Sequence, residues 1–282
     1  MSDKSDKSQT RSWPRKVALV IGAFVFLFPF YYMVIGSLQE KPDTSIAGAI
    51  PTHGVTLSNY GQINERVDLL RSLVNSGIFT GGVILMTVVF GVLAGYALAR
   101  LHFRGQGFLF SLMLLVLVVP FQLLIIPLYV MIVRNYGLAD TYMGMILPFA
   151  INSTAVFIFR QFFLALPEDL FAAARIDGAG ELRILWSIAL PLVRPALVTA
   201  TLLTFIGPWN EFLWPFLVTK DADLQPLAVS LANYITTLAG RAANPFGAIL
   251  AGAVVLAAPA VAIFVAFQKH FTSSDLGSGV KG

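Results

Sequence analysis

Apolar residues fill six long runs of this chain, near Val17–Leu38, Ser72–Ala99, Phe108–Val133, Tyr142–Phe163, Pro195–Thr219 and Phe246–Gln268. Each has the roughly 20 residues a helix needs to cross a bilayer. Lipid cannot satisfy exposed backbone N–H and C=O groups, so such runs predict helices. The fold class expected is an all-α membrane protein of six transmembrane helices. Between the fourth and fifth runs lies a stretch that is both polar and strongly patterned, Leu166–Pro195, reading LPEDLFAAARIDGAGELRILWSIALPLVRP.

That stretch predicts two short helices. Pro167 suits a first helical turn because it has no N–H to leave unsatisfied. Glu168 and Asp169 follow, where carboxylates favour the positive end of the helix. Gly178 supplies the left-handed backbone that ends the first helix, and Glu181–Leu190 forms the second, closed by Pro191. Ala172, Ala173 and Ala174 leave the first helix without bulk on one side, a surface able to lie in a partner's groove. The alternative is a pair of amphipathic helices on the membrane surface. Ile184, Leu185 and Trp186 suit that for the second helix. Glu168, Asp169, Arg175 and Asp177 spread polarity around the first, which favours a docking knob.

Composition agrees with the pattern: 57% of residues are hydrophobic, only 12% are charged, and mean hydropathy is +0.77. Soluble domains carry about a quarter charged residues. The basic lead Arg11, Arg15 and Lys16 resembles that of a signal peptide, but the run behind it is too long and no small-x-small cleavage site follows Leu38. It reads as a retained span. With the N-terminus inside, thirteen of the nineteen Lys and Arg fall on the cytoplasmic side, which places both termini in the cytoplasm. Three regions follow: a disordered cytoplasmic tail at 1–16, a transmembrane domain at 17–268 with its polar loop at 164–194, and a C-terminal cytoplasmic tail at 269–282.

The pI near 9.4 comes from this basic face and calls for no nucleic acid. The chain has no cysteine, so disulfides and thiolate chemistry are excluded. His53, His102 and His270 lie in different loops without ligand spacing, and no metal or other cofactor is expected on the chain. No G-x-x-x-x-G-K-[ST] loop occurs. Within the spans, Asn210 and Glu211 are costly in lipid and should face the bundle interior, a water-filled path or an interface. Trp209 and Phe212 beside them have the chemistry of a sugar path: aromatic faces for C–H surfaces, amide and carboxylate for hydroxyls. The competing account makes Trp209 and Trp214 interfacial belt residues and Glu211 a structural cap. Pro120 and Pro127 favour kinks in the third span. Gly77-x-x-x-Gly81 and Gly91-x-x-x-Gly95 permit close helix packing. Asn152-Ser-Thr154 lies within a span and is no glycosylation site.

Ala173–Ala179 (AARIDGA), followed by Ile188-Ala-Leu-Pro191, resembles the cytoplasmic loop of permease subunits of ATP-binding-cassette importers, E-A-A, three residues, G, and later I-x-L-P. The glycine maps to Gly178 and the alanines to Ala173 and Ala174. The family's glutamate falls at Ala172, a departure, and Glu168, one turn earlier on the same face, is the candidate to supply its charge. Asn75-Ser76, Tyr96-Ala-Leu-Ala-Arg100, Pro120, Ile126-Pro-Leu-Tyr129, Gly137-Leu138, Thr141, Ile146-Leu-Pro148, Trp209–Pro215 and Gly279-Val-Lys-Gly282 are similar to the sugar-importing branch, and within it to the smaller permease of the maltose-type importers.

The resemblance implies a subunit that catalyses no bond chemistry. It would pair with a second, homologous permease. Two cytoplasmic ATPase subunits carrying ATP and Mg would grip Glu168, Ala172–Ala174, Asp177, Gly178 and Ala179, and an external sugar-binding protein would deliver the solute. Tyr234 and Arg241 are the candidate contacts for that protein. The alternatives are an importer of another solute, such as glycerol phosphate compounds or amino acids, and a channel or ion-driven carrier with Glu211 as its coupling group. An intramembrane enzyme would need paired catalytic groups in the spans, where Glu211 stands isolated.

Overall fold

The computed structural model describes residues 13–51, 54–238 and 244–272, with side chains followed to Gln268. Arg241, His53, the Gly279–Gly282 match, the whole of 1–12 and most of the 269–282 tail lie outside the described residues. The helices are α1 (Trp13–Ser37), α2 (Ser58–Val67), α3 (Leu69–Arg100), α4 (Gln106–Val116), α5 (Phe121–Asn135), α6 (Tyr142–Phe149) and α7 (Ser153–Leu164). They continue with α8 (Glu168–Ile176), α9 (Glu181–Leu192), α10 (Arg194–Asn210), α11 (Leu213–Val218), α12 (Leu227–Asn233) and α13 (Pro245–Thr272). Among the described residues there is no strand, only an antiparallel bridge between Gln39 and Val55.

Among the described residues, three helices, α1, α3 and α13, are long and apolar enough to cross a membrane alone. Two more spans are bent: α4 meets α5 at 98° and α6 meets α7 at 51°. The expected kink of the third span thus falls at Pro120, which precedes α5 with extended backbone (φ −61°, ψ 130°). Proline cannot donate to the preceding turn, and the residue before it avoids helical geometry. Pro127 stays inside α5. The fifth span begins at Arg194 as α10 but breaks at Glu211 and Phe212 before α11. α9 turns from α10 by 80° at Val193 and carries Glu181 and Arg183, so it does not lengthen that span. α1 starts at Trp13, four residues before the expected boundary, so the tail expected at 1–16 is helical from Trp13 onward.

The chain divides into two compact units. In the first, within Met1–Leu69 and Leu231–Pro259, a buried amide organises the loops. Asn59 Nδ2 donates to the carbonyls of Ser37 and Gln39, both at 2.9 Å, while its Oδ1 accepts from Asn244 Nδ2 at 3.0 Å. α1 has apolar side chains all round and is exposed along nearly its whole length. A helix of that kind needs lipid or another apolar partner around it.

Among its described residues the second unit, within Leu70–Ser230 and Ala260–Gly282, shows two apolar clusters. One gathers Phe79, Val83, Ile132, Met145, Ile146, Trp214 and Val218. The other gathers Val92 and Tyr96 of α3, Phe159 and Phe163 of α7, Phe171 and Ala174 of α8, and Ile184 and Leu185 of α9. Gly91 and Gly95 do bring α3 against α7, at Phe159. Gly77 and Gly81 differ from expectation, since a Cβ at either would meet no atom within 4 Å.

Candidate functional site

The 164–194 loop folds as a hairpin whose turn is set by its own backbone. Gly178 has φ +80°, where a side chain would be strained. Its N–H donates to Arg175 O at 3.0 Å and that of Ala179 to Ala174 O at 2.9 Å, the paired bonds of a Schellman cap. Pro167 occupies the N-cap of α8, with Glu168 and Asp169 in the first turn. The apolar side of α9 is spent inside the protein: Ile184 and Leu185 are fully buried, leaving Leu182 and Trp186 exposed. That differs from a helix laid on a membrane surface, which would turn Ile184 and Leu185 outward.

The three alanines of α8 divide between two faces. Ala172 and Ala173 are exposed, with Asp177 and the 85% exposed Ile176, whereas Ala174 is buried against the core and Ala179 is half-buried beside it. Glu168 does not stand free as a substitute for the family's glutamate. Arg100 Nη1 binds its carboxylate, and Arg175 lies at 3.5 Å. Arg175 also meets Glu181 at 2.8 Å, and Tyr96 Oη donates to Glu181 at 2.6 Å. The Arg175 hydrogen bond holds the Glu181 carboxyl below the usual carboxylate range, with burial opposing and Tyr96 helping.

The proposed path residues separate. Glu211 lies in the α10–α11 break on the wall of a cavity of about 410 Å³, shared with Asn152, Ser153, Thr154 and Thr204. Its Oε1 also accepts from Trp214 N–H at 3.1 Å, so the capping role and the cavity position coexist. Trp209 is buried and stacked on Phe205, with centroids 5.3 Å apart. Asn210 is exposed and its amide donates back to Ile206 O at 2.9 Å. Phe212 leans on Phe216. Trp214 is fully buried and donates to Gly144 O at 3.1 Å, so neither tryptophan is a belt residue.

Tyr234 requires correction as an exterior contact: it is 2% exposed, and burial pushes its phenol up while Arg66 opposes. Sequence reasoning missed the cavity groups Thr204 and Asn152. The latter reads as a false glycosylation triplet, yet its Oδ1 caps α7 by accepting from Ala155 N–H at 3.1 Å. A Ser/Thr/Asn cluster just ahead of an apolar helical run was the available signal.

Residues 87–274, which include this hairpin and the polar groups of the cavity, match the family described as binding-protein-dependent transport system inner membrane component. The chain belongs to that family. The permease is 33% identical over 283 residues to the arabinooligosaccharides transport system permease protein AraQ of Halalkalibacterium halodurans, covering 99% of this chain and 100% of that protein. It is 32% identical over 262 residues to the sn-glycerol-3-phosphate transport system permease protein UgpE of Yersinia pestis, covering 90% and 92%. Its fold matches a chain of a bacterial ABC transporter involved in the import of the acidic polysaccharide alginate, with TM-score 0.82, 26% identity and coverage of 96% and 100%. A chain of the bacterial alginate transporter in complex with alginate pentasaccharide-bound periplasmic protein shares the fold at TM-score 0.64 and 15% identity, with coverage of 99% and 100%.

Proposed function

We propose that this permease is the membrane-spanning subunit of an ATP-driven carbohydrate importer. A second, homologous permease completes the path. Two cytoplasmic ATPase subunits, carrying ATP and Mg, dock on the α8–α9 hairpin through Ala172, Ala173, Ile176 and Asp177. An external binding protein delivers the sugar, and both termini face the cytoplasm. The observation that carries the sugar assignment is likeness over 99% of the chain to an arabinooligosaccharide permease. The cavity supports it: Asn152, Ser153, Thr154, Thr204 and Glu211 present the amide, hydroxyl and carboxylate groups that bond sugar hydroxyls.

The glycerol phosphate permeases among its relatives favour a second reading, import of a phosphorylated polyol. Likeness to the arabinooligosaccharide permease over 99% of the chain, against 90% for the glycerol phosphate permease, ranks the sugar first. The complete complex in proteoliposomes, with its cognate binding protein, decides. ATP-dependent uptake of neutral oligosaccharide is expected. Uptake of glycerol 3-phosphate alone would establish the second reading, and ATP-independent uptake collapsed by an ionophore would overturn both.

A further inference from the structure

The hairpin is fastened to α3 more strongly than its place in the chain requires. Arg100, the last residue of α3, is 7% exposed. Its Nε donates to Phe163 O at 3.0 Å and its Nη2 to the carbonyls of Phe163 and Leu166, the end of α7 and the approach to α8. Its Nη1 binds Glu168, and its guanidinium lies 4.1 Å from the centre of the Phe171 ring. One turn earlier, Tyr96 donates to Glu181 at the start of α9, and its ring meets Phe163 edge-on at 5.5 Å between centroids. Arg175 joins the two carboxylates, reaching Glu168 at 3.5 Å and Glu181 at 2.8 Å.

A buried guanidinium with this many partners holds its surroundings in one arrangement, because each unmade bond leaves a charged donor or a carbonyl unsatisfied. Planarity matters: the fork reaches carbonyls and carboxylate together while its face covers Phe171, which a lysine cannot reproduce. Tyr96 and Arg100 are spaced i, i+4 and so lie on one face of α3, gripping both limbs of the hairpin.

We propose that Tyr96 and Arg100 are positioning residues that lock the α8–α9 hairpin to α3, so that a push on α8 moves α3 with it. This rests on the docking role proposed for the hairpin. The lock provides a load path into the bundle besides the chain connections of α8 to α7 and of α9 to α10. Packed elements joined in this way move as one body, and the joint is where coupling is gained or lost.

This chain has no native cysteine, so it can be labelled at chosen positions and then assembled with its partners for a direct test. Spin labels at D169C on α8 and L93C on α3, both exposed positions, report the distance between the two helices. With Tyr96 and Arg100 intact, one narrow distance should persist between nucleotide-free and nucleotide-trapped states. Arg100→Lys and Arg100→Gln should broaden it, and uptake should fall about tenfold in complexes that still contain their ATPases. Tyr96→Phe, which keeps the ring and removes the bond to Glu181, should give a smaller broadening and guards against a misfolded Arg100 variant. A distance that changes between states with both residues intact, while uptake proceeds, would overturn the lock and leave the transport reading standing. Unchanged distance and uptake in Arg100→Gln would also overturn it. Complexes that never hold ATPases on the hairpin would instead remove the docking role itself.

Discussion

Gly95 and Gly178 are glycines for opposite reasons, and substitution separates them. At Gly95 the obstacle is a neighbour: a Cβ would lie 2.7 Å from Phe159 Cβ and 3.0 Å from Arg160 N. Backbone of α7 cannot swing aside, so Gly95→Ala should destabilise the purified protein by about 1–3 kcal/mol, read by thermal unfolding in detergent. Gly81→Ala, with no atom within 4 Å, is the contrasting control and should be neutral or slightly stabilising. At Gly178 space is open and the backbone is the obstacle, with φ +80°. Gly178→Val should leave the protein inserted but misplace α8, giving poor co-purification with ATPases and loss of uptake. Glu181 adds a pH dependence. Its folded pKa is depressed, chiefly by Arg175, so its contribution is present above the unfolded carboxylate pKa and is lost as pH falls through the folded one. Hydrogen exchange in Glu181–Leu192 should therefore rise on acidification below the usual glutamate range, and Glu181→Gln should remove that added pH dependence. Identical pH dependence in the two proteins would exclude Glu181 as its source.

At the scale of elements, what was legible in the sequence was whatever one local rule decides. The hairpin turn could be read because Gly178 alone satisfies a left-handed cap, and the spans could be read because hydropathy needs no partner. The α10–α11 break could not, because Glu211 within an apolar run permits a path, a cap or an interface. Tyr234 read as an outer-loop aromatic, while its burial depends on packing that periodicity does not carry. Arg100 read only as the end of a motif, since its hydrogen-bonding partners lie 63 to 68 residues away in sequence. Glu211 caps Trp214 N–H and also lines the cavity, and substitution separates the cap from the proposed part in the path. Glu211→Gln keeps an oxygen to accept from Trp214 N–H and keeps hydrogen bonding into the cavity, whereas Glu211→Ala removes both. For a neutral sugar the glutamine variant should retain much more uptake than the alanine variant. Equal and complete loss in both would point to a required charge, as in an ion-coupled carrier.

For the whole molecule, the distribution of charge makes the remaining prediction. Thirteen of nineteen Lys and Arg lie in 1–16, 100–107, 164–194, 269–282 or at Arg160, the segments placed on the cytoplasmic side. Positive residues in short loops resist translocation, so the chain should insert with these segments inside. The structure tells where probes can be placed without disturbing the fold. Gly48 is a poor site because a Cβ there would strike Asp43 O, whereas Ile46 is 82% exposed and Gly61 has open space. On the opposite side, Gly107 has open space and Ile176 projects from α8. Because the natural chain has no cysteine, I46C, G61C, G107C and I176C each create a single reactive thiol. In intact cells, or in spheroplasts where an outer membrane would block the probe, an impermeant maleimide should label I46C and G61C. G107C should react only after the membrane is opened, and so should I176C when the permease is expressed without the ATPase subunits proposed to cover that residue. Labelling of I176C from outside would invert the orientation and overturn the proposed docking of cytoplasmic ATPases on the hairpin. Labelling of I46C and G107C from the same side would mean that α3 does not cross, and the six-span count would fall with it.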